Sequence, residues 1–123
     1  MLVKQLEARV RPQPGAAIID LYGDIDTFAE AALNDAFAEA SQGHPSAIVL
    51  NFRDVEYINS TGIALIVGLL ARARQSGRRM VVFGLNDHYA EIFRITRLAE
   101  FMSVFPDEAS ALADVVSSAP QQM

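Results

Sequence analysis

Residues 47–70 read AIVLNFRDVEYINSTGIALIVGLL. The stretch opens on Ala47 to Leu50, a β-branched apolar run that predicts a buried strand, continuing to Phe52. It closes on Ile63, Ile66, Val67 and Leu70, which with Ala73 recur at helix spacing. Between strand and helix lies a polar loop ending in Asn59-Ser60-Thr61-Gly62. A hydroxyl pair at the start of a helix is a place where a phosphate can be carried. The first-turn N–H groups have no acceptor inside the helix, and its dipole favours negative charge there.

Working outward, Leu6, Ala8 and Val10 alternate with Glu7, Arg9 and Arg11. That pattern predicts a half-exposed edge strand. Pro12 to Gly15 is a turn by composition, and Ala16 to Tyr22 completes a hairpin. Gly23 to Thr27 is expected as a loop, with Asp26 or Thr27 capping the next helix. That helix should run to Ser41, with Ala29, Leu33, Ala36, Phe37 and Ala40 inside and Glu30, Asn34 and Glu39 in water. Gly43-His44-Pro45 ends it, and Gly77 stops the helix that Ser60 begins. Met80 to Gly84 predicts another strand. Asp87 is the expected cap of a helix to Arg94, whose apolar set is Ala90, Ile92, Phe93 and Ile95. Phe101 to Phe105 is a last strand, and Asp107 caps a final helix to Val116 that packs through Ala111, Leu112 and Val115. The order is ββαβαβαβα, an α/β fold. The hairpin makes the sheet of five strands mixed, and the βα units make it mostly parallel, with four helices packed on it.

The chain has 123 residues, no cysteine and a net charge of −5. That suffices for one domain core and excludes a disulfide framework and cysteine-type zinc. Lys and Arg are scattered rather than striped, which argues against nucleic acid as a partner. The N-terminal MLVKQLEARVRP carries no signal-peptide pattern, and no apolar run reaches a membrane-spanning length, so a cytoplasmic protein without membrane insertion is expected. His44 and His88 stand apart and form no ligand cluster or nucleophile–base pair. No G-x-S-x-G elbow and no glycine-rich phosphate loop is present. Asp24-Ile25-Asp26-Thr27 brushes the D-x-D-x-T pattern of phosphatases, but the threonine comes one residue early. Neither enzymatic activity nor a cofactor is expected.

Three segments together carry a family resemblance: Gly23 to Asp26 (GDID), Leu50 to Ile63 (LNFRDVEYINSTGI) and Gly77 to Gly84 (GRRMVVFG). In this order, within this element sequence, the chain resembles the STAS domain family, and within it the anti-sigma factor antagonists of bacterial partner-switching systems. The resemblance implies one STAS domain over residues 1–116 and a flexible tail over 117–123. It implies phosphorylation at Ser60 by an ATP-dependent anti-sigma factor serine kinase that is also the binding partner. The unphosphorylated antagonist binds that kinase and frees the sigma factor, and a PP2C-type phosphatase restores this form. Asp24 and Asp26 fall near the family's acidic residues beside the serine, and Thr61 and Gly62 flank it. The family usually has aspartate immediately before the serine, where this chain has Asn59. Asparagine caps a helix as well as aspartate does, but the carboxylate that would help orient the hydroxyl is gone.

Two readings therefore stand for Ser60 and Thr61, a phosphosite at Ser60 with Thr61 unmodified beside it, or ordinary helix capping by both. The second belongs with a STAS adaptor that binds a protein or small ligand without being phosphorylated. Two readings also stand for Leu65, Gly68 and Leu69. If Ile63, Ile66, Val67 and Leu70 face the sheet, Leu65 and Leu69 lie on another side, either packing on a neighbouring helix or forming a docking surface next to Ser60.

Overall fold

The computed structural model describes residues 4–118. The alternating segment forms β1 (Glu7–Gln13), which pairs antiparallel with β2 (Ala16–Ile25). β2 then pairs parallel with β3 (Ala47–Ile58), β3 with β4 (Arg79–Phe83) and β4 with β5 (Ser103–Phe105). The sheet order is β1-β2-β3-β4-β5. Because the parallel strands advance in one direction, their right-handed crossovers put successive helices on one face. These are α1 (Glu30–Ser41), α2 (Ser60–Gln75) and α3 (Asp87–Ile95). They bury Ile19, Leu21, Ile48, Leu50 and Phe52 from the sheet against Leu33, Phe37, Ile66, Leu69 and Phe93. The last helix, α4 (Glu108–Ser118), follows the edge strand and covers the other face. There Ala111 and Val115 lie on Ile18, Val49, Val81 and Phe83.

Among the described residues the expected mixed sheet of five strands with four helices forms, and all five predicted inner residues of the first helical segment are buried. Gly77 ends α2 as expected. At φ +74° it lets Arg78 N–H reach the Ala73 carbonyl at 2.8 Å and its own N–H reach that of Arg74 at 3.1 Å, closing the helix end.

Several boundaries differ. β2 continues through Gly23, Asp24 and Ile25, which the sequence suggested as loop. β3 runs 12 residues to Ile58, taking up the polar segment expected as loop. In both cases pairing between the two strands persists, through register shifts at Asp20/Tyr22 and Gly23/Asp24, after the apolar runs end. Asn86 rather than Asp87 caps α3, its Oδ1 accepting from Tyr89 N–H at 2.9 Å. Ile95, predicted inside, is exposed at the last turn of α3. β5 is shorter than predicted, because Leu98–Glu100 forms a 3-10 turn before it. Ser117 and Ser118, assigned to the tail, extend α4; the remainder of the expected tail, 119–123, lies outside the described residues.

α4 is held to its face by charge as well as by packing. Arg11 donates to Asp20 at 2.9 Å and to Glu108 at 2.6 Å, and Arg79 donates to Asp114 at 2.6 Å. Asp20 is buried and also accepts from Asn51 Nδ2 at 2.8 Å. The hydrogen bonds from Arg11, with that from Asn51 behind them, hold the Asp20 carboxyl below its ordinary range despite burial. A carboxyl with a lowered native value stabilises the fold fully above the unfolded value of about 4, and this contribution is lost as pH falls through the native value. Asp20→Asn should therefore lose less stability than the natural chain between neutral pH and acid. Urea midpoints of both proteins, measured across that range, check it; parallel curves would remove Asp20 as an acid-sensitive group.

Candidate functional site

The long pairing of β2 with β3 builds the site. Ile25 and Ile58 are partners at the ends of their strands, so Asp26 and Asn59 emerge as neighbouring residues at one end of the sheet. Only Asn59 separates β3 from α2. Its N–H donates to the Ile25 carbonyl at 3.2 Å, and its Oδ1 accepts from Gly62 N–H at 2.8 Å. The predicted capping role of Asn59 is therefore present, with the extended backbone a cap requires. Asp26 does the same for the turn before α1, accepting from Phe28 N–H at 2.9 Å.

Ser60 and Thr61 are the first two residues of α2, and both are exposed. Their N–H groups have no acceptor within the helix. A phosphate on Ser60 would meet free donors and the positive end of the helix dipole. Gly62 is buried, and a Cβ there would lie 2.0 Å from the Ile25 carbonyl oxygen. The missing side chain is what lets the first turn of α2 sit directly on the end of β2.

The same contact sets the rotation of the helix, and this corrects the predicted inner face. The buried stripe is Gly62, Ile66, Leu69, Leu70 and Ala73. With Gly62 against the sheet, residues seven and eleven further on follow it inward. Leu69, predicted as a docking residue, is 2 % exposed and belongs to the core. Leu65 is half-buried against that core, and Val67, predicted to cover the sheet, is 41 % exposed. The outward face that begins at Ser60 is Ala64, Val67, Gly68 and Ala71, all small or apolar. Of the three docking residues expected, Gly68 alone lies fully on it. Leu69→Lys should bury an unpaired ammonium and cost several kcal/mol, whereas Val67→Lys should leave stability within about 0.5 kcal/mol. Thermal melting of the two variants checks the assignment, and an undisturbed Leu69→Lys would contradict it.

Asp24 is not brought to Ser60. It pairs with Tyr57 in the sheet, alternating with the core-facing Ile25 and Ile58, and so occupies the opposite face. Its Oδ2 accepts from Lys4 N–H at 3.3 Å, and it lines a surface hollow with Tyr22 and Arg53. Sequence reading also missed Phe28. It is 79 % exposed in the turn that Asp26 caps, beside the strand end that supports Asn59. The available signal was its place outside the Ala29, Leu33, Ala36, Phe37, Ala40 stripe. Among the described residues, no group of three His, Asp or Glu side chains is arranged to hold a metal. No helix among them is long and apolar enough to cross a membrane.

The STAS domain profile matches residues 7–111, and the chain belongs to the STAS domain family. An anti-sigma-B factor antagonist of Staphylococcus aureus is 29 % identical over 82 residues, covering 67 % of this chain and 76 % of the relative. Among solved structures, an anti-sigma factor antagonist from Mycobacterium paratuberculosis superposes with a TM-score of 0.79 at 20 % identity, covering 91 % of this chain and 95 % of that one. The antagonist SpoIIAA in its unphosphorylated form gives 0.69 at 17 % identity, covering 91 % and 99 %. The Bacillus SpoIIAA in its phosphorylated form gives 0.67 at 20 % identity, covering 88 % and 98 %. The curated relative and the first two of these structures carry the name of anti-sigma factor antagonists.

Proposed function

We propose that this protein binds an anti-sigma factor that is also a serine kinase, and that phosphorylation of Ser60 ends the binding. The observation that carries the reading is Ser60 itself. It is exposed at the first position of a helix whose cap, Asn59, satisfies Gly62 N–H and leaves the preceding two donors available. The face running from it, Ala64, Val67, Gly68 and Ala71, is flat and free of charge and suits a protein surface. Relatives named as anti-sigma-B factor antagonists support the class of partner. In the transfer, the Ser60 hydroxyl oxygen bonds to the γ-phosphorus of ATP, its proton passes to a base of the kinase, and ADP leaves. A PP2C-type phosphatase returns the hydroxyl by hydrolysis.

The second reading, an adaptor that is never phosphorylated, is favoured by Asn59 in place of a carboxylate. Incubation with the cognate anti-sigma factor and magnesium–ATP, followed by intact mass and peptide mapping, separates the two. One phosphoryl group on Ser60, with Thr61 unmodified, is expected. Phosphate on Thr61, or none with a kinase proven active, would count against the proposal. Asn59→Asp restores the carboxylate without changing the cap, so it should speed phosphorylation while leaving partner affinity unchanged. An unaltered rate would make the asparagine neutral for transfer.

A further inference from the structure

At the opposite end of α2 lies a second surface whose chemistry the Ser60 switch does not use. A groove of about 720 Å³ runs between the last turn of α2, the start of β4 and the edge strand β5. Arg74, Arg78 and Arg79 line it, with Glu100, Phe101 and Val104. The protein as a whole is acidic, with 15 Asp and Glu against 10 Lys and Arg, so three arginines in one groove concentrate its positive charge. Of the three, Arg79 is paired with a carboxylate, and Arg74 and Arg78 are not, among the described residues. The Glu100 carboxylate is held by Arg97 at 2.5 Å, and Asp114 pairs with Arg79 alone. Among the described residues no carboxylate pairs with Arg74 or Arg78; Arg78 instead donates to the carbonyls of Pro45 at 3.0 Å and Ser41 at 3.4 Å. Arg79 Nη1 is buried with no acceptor among the described residues.

The apolar part of the groove is equally unfinished. Phe101 is exposed with the Arg74 guanidinium 5.4 Å from its ring centroid, an aromatic–arginine pair of the kind that anchors protein interfaces. β5 is the last strand of the sheet, so among the described residues its outer edge pairs with no other strand, and Val104 is exposed on it. A free strand edge accepts an added strand through main-chain hydrogen bonds, with alternate side chains reaching the flanking surface.

We propose that this groove binds an extended acidic segment of a partner protein, laid along β5 with its carboxylates against Arg74 and Arg78. Charge selects the occupant, because a basic or neutral strand would leave Arg74 and Arg78 without a counter-charge, no carboxylate among the described residues being paired with either. The surface is independent of the Ser60 reading. Arg74 stands about 21 Å along α2 from Ser60 at the rise of an α-helix, so both ends can be occupied together and phosphorylation at one need not release the other.

The test uses the full chain, isotope-labelled, and a blocked heptapeptide of alternating glutamate and valine. The peptide should shift the amides of Ser103, Val104 and Phe105, and a lysine–valine peptide should not. Arg74→Glu, an exposed change, should weaken binding by about tenfold or more, and Ser60→Asp should leave it unchanged. If Arg74→Glu melts lower than the natural chain, Arg74→Gln replaces it. Unmoved β5 amides, or equal affinity after the arginine change, would overturn the proposal. So would full occupancy by glutarate at the same concentration, which would mark a small-anion site, or tighter binding of a single-stranded RNA octamer.

Discussion

Gly62→Ala should lower stability by about 3 kcal/mol or more, at the upper end of what overpacking costs, and so lower the melting temperature by roughly 10–20 °C. The added Cβ would stand 2.0 Å from the Ile25 carbonyl oxygen and 2.8 Å from its carbon. Both belong to backbone in a paired strand, so neither yields as the end of a flexible side chain would. Relief requires α2 to lift from β2, which would strain the Asn59 N–H bond to that same carbonyl and move Ser60. Gly68 supplies the control on the same helix. A Cβ there meets nothing within 4 Å, so Gly68→Ala should gain up to about 1 kcal/mol from helix propensity alone. Opposite shifts in melting temperature for one chemical change isolate the close approach from propensity. Equal shifts would mean that α2 does not rest on the end of β2.

Much of the fold was legible because hydrophobic periodicity and turn chemistry agree along most of the chain. The Leu33, Phe37, Ala40 stripe, the Gly77 stop and the Asp107 cap each rest on local rules, and local geometry obeys them. What stayed hidden depends on neighbours. Arg53 to Tyr57 reads as a polar loop, yet pairing with β2 keeps it in the sheet, where Asp54 and Tyr57 each have a partner. The family resemblance implied a place for Asp24, with Asp26, near Ser60. Strand alternation instead puts it on the other face. The apolar surface of α2 was wide enough to allow more than one rotation, since Ile63, Leu65, Ile66, Val67, Leu69 and Leu70 are all apolar. A contact between Gly62 and a carbonyl 37 positions earlier in the chain decides among them, and periodicity carries no trace of that contact. The capping asparagine and the exposed serine were readable because a helix N-terminus is specified by its own residues.

Ser60→Asp should fold nearly as the natural chain does and fail to hold the partner. On the folding side, a carboxylate at the first position of α2 faces the N–H groups that Asn59 leaves unsatisfied and the positive end of the dipole, worth a few tenths to 1 kcal/mol in its favour. Nothing packs over the exposed side chain, so no core contact is lost. On the binding side, the proposed partner surface would cover Ser60 together with Ala64, Val67 and Gly68. It would have to desolvate a charge that Ala64, Val67 and Gly68, being uncharged, do nothing to pair. A cost of about 2.7 kcal/mol is already a hundredfold loss of affinity. Phosphate, with a charge nearer −2, should cost more than aspartate. Calorimetry with the cognate anti-sigma factor and thermal melting of the free protein measure the two halves separately. Unchanged affinity would rule out charge at Ser60 as the switch, and a large fall in melting temperature would instead attribute lost binding to lost structure.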